Sequence, residues 1–162
     1  MSSSTPAGEV TGDFNAADVL FAQGMVPHHE QAVEMAALAL DPAAGASAEI
    51  QALATQIQGA QDPEIELMTG WLQAWGQPMD MPGTEEMDGM MSADDMAGLA
   101  TLTGAEFDTA WAEMMIAHHE GAITQARTVK AAGSNADVLV LADEIITAQQ
   151  AEIDEMKALL AG

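Results

Sequence analysis

An internal repeat constrains the fold of this 162-residue chain more than any other feature of its sequence. Residues 25–32 read MVPHHEQA and residues 115–122 read MIAHHEGA, so a Met-x-x-His-His-Glu run returns at an offset of 90. A second block, residues 53–68, shares eight identical positions with residues 141–156 at an offset of 88. Such self-similarity is typical of one supersecondary unit that the chain uses twice.

Each copy contains two helical stretches, because apolar residues recur three, four and seven positions apart. Asn15 and Ser134 are predicted N-caps, since their side-chain oxygens can accept hydrogen bonds from the first N–H groups of a helix. Asp41-Pro42 and Gly133 are expected to end the first helix of each hairpin. The four helices are predicted at about 15–40, 47–74, 105–131 and 135–160.

The connections between these helices predict how the helices are arranged. The turns inside each hairpin are short, whereas the link between the hairpins is long and contains one short helix capped by Ser92 and Asp95. Two helical hairpins joined by a long crossover are typical of an all-α four-helix bundle with ferritin-like connectivity. Pro27 and Pro63 fall inside predicted helices and are expected to kink or interrupt them.

Length and composition favour one domain, at 14–162, with a single core, since 49% of the residues are hydrophobic. The first residues are small and polar and lack an apolar signal core, so we expect a tether that follows a removed export or lipoprotein signal. We therefore expect an extracellular or periplasmic protein, with a lipid anchor left open. The predicted parts are a disordered tether at 1–13, repeat one at 14–75, a methionine-rich crossover at 76–104 and repeat two at 105–162.

The charge of the chain excludes several classes of partner. It has 26 acidic and three basic residues, which gives a formal charge of −23 at pH 7. Such a chain is repelled by nucleic acid and anionic lipid, and cations are its natural partners. The absence of cysteine rules out disulfides, thiolate metal sites and cysteine nucleophiles. No apolar run reaches the length of about 18 residues that suggests a membrane span.

The repeated run carries a metal-binding pattern. All four histidines fall in two adjacent pairs, His28-His29 and His118-His119, each with methionine one turn earlier. Imidazole nitrogen and thioether sulfur together favour copper(I) or silver(I), with copper(II) also accessible through imidazole. A lone core histidine is more often structural, and it is the twofold pairing that favours metal binding. The methionines one turn before the histidines are Met25, Met114 and Met115.

The second helix of each hairpin carries two polar residues on its core-facing stripe, Gln61 and Glu64 in the first copy and Gln149 and Glu152 in the second. Burying an unpaired carboxylate is costly, so each glutamate is expected to face a histidine or a bound cation. We include both glutamates in the candidate metal site together with the methionines one turn further along. These methionines are Met68 and Met156.

The crossover is rich in methionine and in Asp, Glu and Gly, a mixture too polar to predict a core role. Methionine-rich loops can capture copper(I) through sulfur, but a flexible linker that happens to contain many methionines has the same composition. The sequence leaves both interpretations open. The crossover methionines are Met79, Met81, Met87, Met90, Met91 and Met96.

These motifs resemble the domain of unknown function 305 family from about residue 14 onward. The family pattern is a Met-(Ile/Val)-x-His-His-(Gln/Glu)-x-Ala run followed by an Ala-Gln-x-x-Glu-Ile-x-x-Met helix, and both copies match it. The resemblance implies a ferritin-like helical bundle, usually exported, in a family with copper-binding and copper-resistance members. The Asp62-Pro63 pair departs from the pattern just ahead of Glu64 and Met68. The metal ligands that the resemblance implies are Met25, His28, His29, Met115, His118 and His119.

Three functions fit this sequence. The favoured hypothesis is an exported copper buffer or resistance protein that sequesters copper(I) without turnover. An enzyme has less support, because no nucleophile or phosphate-binding motif appears and the Glu-x-x-His pattern of di-iron proteins is missing. The alternatives are a ferritin-like metal-dependent oxidoreductase and a structural or partner-binding bundle without metal. Asp18 and Asp108 could orient the histidines, or they could cap or bridge helices. The sequence leaves open the number of metal sites and whether the chain forms a homo-oligomer.

Overall fold

A computed structural model describes residues 13–79 and 89–162 of the chain. Within these residues all regular structure is helical, so the predicted all-α class is confirmed. The predicted tether as far as residue 12, and with it Met81 and Met87 of the crossover, lie outside the described residues. The helices are α1 (Ala16–Leu40), α2 (Ala48–Ala74), α3 (Ala93–Ala100), α4 (Gly104–Ala132) and α5 (Ala136–Ala161), with a 3₁₀ turn at Pro42–Ala44.

The four long helices form two hairpins that pack together through their first helices, and the short α3 lies between the hairpins in sequence. Helix α1 packs mainly against α2, α4 packs mainly against α5, and α1 and α4 pack against each other. The N-terminal half of α1 shares a buried cluster with the C-terminal half of α4, so these two helices run antiparallel. None of the helices in the described ranges is both long and apolar enough to cross a bilayer.

The ends of the helices follow the predicted chemistry with one correction. Asn15 caps α1 as predicted, in a reciprocal capping box with Asp18. Ser134 is not the N-cap of α5, because the side chain of Asn135 accepts the hydrogen bond from Val138 N at 3.1 Å. Ser134 instead donates its backbone N–H and its hydroxyl to Asp18 at 3.1 and 3.2 Å. Ser134 is thus bound to the carboxylate of Asp18 from the other hairpin, and the N-cap of α5 is the next residue, Asn135.

The two internal prolines do not interrupt their helices. Helix α1 continues through Pro27 for 13 further residues, and α2 continues through Pro63 for 11. Each proline removes one N–H donor from the helix, but buried residues on both sides hold the flanking turns in the core. A break at these prolines, one of the two predicted effects, is therefore wrong at both positions, and the other, a kink, stays a prediction.

The core is divided into two apolar clusters, whereas the sequence analysis expected one. The first cluster joins the C-terminal half of α1 to the N-terminal halves of α2 and α4, with Leu99 of α3 and Met156 of α5. The second cluster joins the N-terminal half of α1 to the C-terminal halves of α2 and α4 and to the first half of α5. Buried polar side chains occupy the stretches of the four long helices between the clusters, which explains the division.

Candidate metal centre

The polar stretch between the two apolar clusters contains every histidine of the chain. We call it the histidine layer. The four imidazoles are at most 1% exposed, and three of the four acidic and amide side chains in the layer are also buried. Burying so many polar groups costs free energy unless they find partners. The members of the histidine layer are His28, His29, Gln61, Glu64, His118, His119, Gln149 and Glu152.

Two histidines of the layer pair with glutamates of the neighbouring helix, as the sequence predicted. His29 Nε2 lies 2.6 Å from Glu64 Oε1, and His119 Nε2 lies 2.6 Å from Glu152 Oε1. Pro63 therefore does not displace Glu64 from the position that matches Glu152. The carboxylates accept these hydrogen bonds, so each Nε2 carries a proton. In the neutral ring the lone pair then stays on Nδ1, and neither Nδ1 has a hydrogen-bond partner among the described residues.

This arrangement is the one that metal-binding histidines commonly use. A ligating imidazole usually donates its second N–H to a carboxylate, which fixes the tautomer and makes the other nitrogen a better ligand. His29 and His119 satisfy the carboxylate half of this pattern twice, with Nδ1 buried and available for a further contact.

The other two histidines meet across the junction of the hairpins. The rings of His28 on α1 and His118 on α4 have centroids 3.9 Å apart, with an angle of 42° between the ring planes. The His118 ring also interacts with the backbone of His28 through a hydrogen bond. Residues that are 90 positions apart in the sequence thus come into direct contact at the centre of the molecule.

The surroundings of His118 disfavour its protonated form. Burial lowers the pKa of His118 well below the ordinary value of 6.5, and repulsion from His28, His119 and His29 lowers it further. His118 is therefore neutral near pH 7, which is the form that can donate a lone pair to a metal ion.

The predicted methionine ligands border the histidine layer on both sides. Met25 and Met68 belong to the second cluster, and Met115 and Met156 belong to the first. All four side chains are fully buried. Met114 is half-buried and packs against the outside of the first cluster. The structure thus places a pair of buried thioethers, one from each helix of a hairpin, in the apolar cluster on each side of the layer.

Three crossover methionines among the described residues are partly buried and pack against the core, contrary to the expectation from their polar surroundings. Met79 packs against the second cluster, and Met91 and Met96 pack against the first. Their long unbranched side chains reach the core from a segment whose backbone lies outside it. Throughout the described ranges, histidine, aspartate and glutamate do not gather in groups of three or more that could hold a metal ion.

One polar contact of the layer was missed by the sequence reasoning. Gln56 Nε2 on α2 donates to Glu152 Oε2 on α5 at 3.0 Å, so that Glu152 is held from two helices. Glu64 has no such second donor among the described residues, and its side chain is 20% exposed against 6% for Glu152. The equivalent of Gln56 at the offset of 88 is Glu144, a difference visible in the sequence. The two halves of the layer are therefore not identical.

Comparison with known families and structures agrees with this architecture. The family model described as "Domain of unknown function (DUF305)" matches residues 18–160. No curated protein shows significant similarity to the chain.

Solved structures resemble the chain over most of its length. A DUF305 protein from Streptomyces coelicolor, described as a candidate secreted protein, is 30% identical with a TM-score of 0.84 and covers 90% of this chain and 92% of its own. A DUF305 fragment from Deinococcus radiodurans is 31% identical with a TM-score of 0.83, and the match covers 93% and 99% of the two chains. CopM in its Cu(I)-bound form is 32% identical with a TM-score of 0.74, over 88% and 94%. CopM structures also exist in Cu(II)-bound, silver-bound and apo forms.

Proposed function

The chain belongs to the DUF305 family, and from that membership and the histidine layer we propose that it is a copper-binding protein that sequesters copper(I). Silver(I) and copper(II) are the further ions that the same ligands would accept. We interpret the two packed hairpins as a ferritin-like four-helix bundle, built from a repeated unit, with the metal site between its two apolar clusters.

The observation that carries this proposal is the set of buried ring nitrogens without hydrogen-bond partners. Nδ1 of His29 and Nδ1 of His119 are buried in the histidine layer, and neither has a hydrogen-bond partner among the described residues. Buried polar atoms in native proteins nearly always have a partner. A bound soft cation would supply that partner.

The donor chemistry around these nitrogens fits copper(I). Met25 and Met115 lie one helical turn before His28 and His118, and Met68 and Met156 are buried in the same clusters from the second helices. Thioether sulfur is a soft ligand that selects copper(I) and silver(I) over harder ions. The proposed site therefore combines imidazoles with methionines, with Glu64 and Glu152 orienting two of the rings and Met114 at its edge. The similarity to a protein solved with Cu(I) supports the same choice of metal.

We favour sequestration over catalysis because the proposed ligands are enclosed. The imidazoles and four methionines are almost fully buried, and a metal ion held among them would be kept from water, oxygen and other proteins. We place this activity outside the cytoplasm, in line with the secreted description of the Streptomyces coelicolor protein. The proposal includes a lipid anchor, and that one part of it is supported by the sequence alone.

A titration with copper(I), under anaerobic conditions and in competition with a chromophoric chelator, tests the proposal. The paired variant Met25→Leu/Met115→Leu removes one thioether from each half of the site while keeping the volume of the side chains. We expect its affinity to fall by at least about tenfold, since one soft ligand of each half is lost. Met35→Leu is the matched control, because Met35 is equally buried in the first cluster but lies two turns from the histidines.

The alternatives predict different results in the same experiment. A structural bundle would take up no copper(I), and its melting temperature would not change when the metal is added. An oxidoreductase would consume oxygen when it is loaded with copper or iron. Equal affinities for the double variant and the Met35→Leu control would remove the methionines from the site.

A further inference from the structure

The crossover segment that precedes α3, residues 76–92, is fastened at its end to α1 beside the histidine layer. Gln31 Nε2 donates to the carbonyl oxygen of Met91 at 3.0 Å, and the backbone N–H of Met91 donates to Gln31 Oε1 at 2.8 Å. The side-chain amide of Gln31 thus satisfies both polar groups of one crossover residue. Gln31 is three residues after His28, so it lies one turn away on the same face of α1.

The same end of the crossover rests directly on α4. A Cβ atom on Gly89 would lie 2.6 Å from the carbonyl oxygen of Ala117 and 3.1 Å from that of His118. The backbone of Gly89 also has φ +83°, which a side chain disfavours. Position 89 therefore requires glycine for two reasons: its backbone lies close to α4, and its φ angle is positive.

These two contacts place residues 89–91, which we call the strap, across the junction of α1 and α4. One end of the strap lies on the turn of α4 that carries His118, and the other end is bound to the turn of α1 that follows His28. The rings of His28 and His118 meet at this junction. The two repeats differ at the residue that binds the strap, since Gln31 corresponds to Gly121 in the otherwise similar run of the second copy.

A second glutamine of α1 holds the start of the crossover. Gln23 Nε2 donates to the carbonyl oxygen of Pro78 at 2.9 Å. Gln23 and Gln31 are eight residues apart, on either side of His28 along α1. Helix α1 therefore binds the part of the crossover before α3 near both of its ends, and the attachment with more hydrogen bonds, two against one, is the one at the strap.

We propose that Gln31 and Gly89 are positioning residues that fasten the strap over the His28–His118 contact and thereby set the rate of metal exchange. This inference rests on the proposed function, since it concerns how an ion reaches the same site. The two imidazoles are buried under packed helices, and helices separate less readily than a three-residue strap held by Gln31 and by the packing of Met91. Release of the strap is the opening that breaks the fewest contacts near the site.

Kinetics separate this role from a structural one. If the strap only controls access, loosening it raises the rates of copper(I) uptake and of copper(I) release by the same factor and leaves the affinity unchanged. If Gln31 instead supports the ligands themselves, its loss raises the release rate alone and weakens the affinity.

The experiment uses two variants that act from opposite sides of the strap. Gln31→Leu removes both hydrogen bonds to Met91, and Gly89→Ala forces the strap away from α4. Stopped-flow transfer of copper(I) to and from a chromophoric chelator is measured at pH 7, and we expect both rates to rise by about tenfold, the effect of losing one to two hydrogen bonds. Gln150→Leu is the control, because Gln150 is exposed and its side chain donates a hydrogen bond to Asp154 within its own helix.

Amide hydrogen exchange in the metal-free protein provides a second readout. The backbone N–H of Met91 should be protected in the wild type and should lose protection in Gln31→Leu, while amides inside α1 and α4 keep theirs. Wild-type exchange rates in both variants, or a loss of affinity that accounts for the faster release, would overturn the positioning role. Failure of the wild-type protein to bind copper(I) at all would contradict the proposed function instead, so the two failures are distinguishable.

Discussion

The carboxylate contacts of His29 and His119 determine which ring nitrogen each imidazole keeps for another partner. In both, Nε2 faces a glutamate at 2.6 Å and Nδ1 is buried without a partner among the described residues. The sequence predicted these pairs because a glutamate recurs on the inner stripe of each second helix. It did not predict the contact of His28 with His118, since that contact depends on the antiparallel packing of α1 and α4 rather than on any spacing within one helix.

The neutral state of His118 makes the stability of the metal-free protein depend on pH. The unfolded chain binds a proton at this residue near pH 6.5, whereas the folded protein binds it only at a lower pH. The contribution of neutral His118 is therefore fully present above pH 6.5 and is lost as the pH falls from 6.5 toward the lower pKa of the folded state. We expect the free energy of unfolding to decrease by up to about 1.4 kcal/mol per pH unit in this window from His118 alone.

Urea denaturation at pH 7.5 and pH 5.5 measures this dependence. The variant His118→Asn should lose part of the decrease between the two pH values, because it cannot take up the proton. Carboxylates contribute to both proteins and cancel in the difference between them. An identical decrease in the wild type and the variant would mean that His118 is protonated as readily in the folded state as in the unfolded chain.

At the scale of the helices, each hairpin completes the other. Asp18 on α1 accepts hydrogen bonds from Ser134 and Asn135 at the start of α5, and Asp108 on α4 accepts them from Ser47 at the start of α2. A carboxylate at a helix N-terminus also interacts favourably with the helix dipole. Asp18 and Asp108 therefore bridge the two hairpins by binding the N-cap residues of the opposite helices, Asn135 and Ser47, which is one of the roles that the sequence left open for them.

The two bridging contacts are expected to differ in strength. Asp18 is fully buried and accepts hydrogen bonds from Ser134, Asn135 and its own capping box, whereas Asp108 is half-buried and, among the described residues, accepts hydrogen bonds from Ser47 alone. We expect Asp18→Ala to lower the free energy of unfolding by about 3 kcal/mol and Asp108→Ala to lower it by about 1 kcal/mol. Equilibrium denaturation of both variants at pH 7 checks this order, and equal losses would contradict the difference in burial.

The helices themselves were predictable because their signals are local. Apolar spacing, caps and turn residues predicted the four long helices to within one residue at each end. Two features of the helices differ from the prediction for one shared reason. The N-cap of α5 is not Ser134, and the helices continue without interruption through Pro27 and Pro63. In each, contacts from distant parts of the chain outweigh the local preference. The strap was not predictable because contacts between distant parts of the chain hold it in place. The two repeats differ at this position, where Gln31 of the first copy corresponds to Gly121 of the second.

At the scale of the whole molecule, a polar layer divides an otherwise apolar interior. A core with apolar side chains in place of the histidine layer would be more stable, since every buried polar group without a partner costs about 1–3 kcal/mol. Positions at which a sequence departs from the best packing are typically functional. The formal charge of −23 raises the local concentration of cations around the molecule and favours fast association with a metal ion. Burial of soft ligands and a negatively charged surface are consistent with one function, the capture of a cation.

The position of copper in a crystal tests the central claim most directly. Crystals of the reduced protein loaded with copper(I) would be measured at the copper absorption edge, and the anomalous difference map would locate the ions and their ligands together. We predict density inside the histidine layer, within bonding distance of imidazole nitrogen and methionine sulfur. Density confined to surface carboxylates, or none at all in crystals soaked with excess copper(I), would contradict the proposal that thioethers and imidazoles form the site.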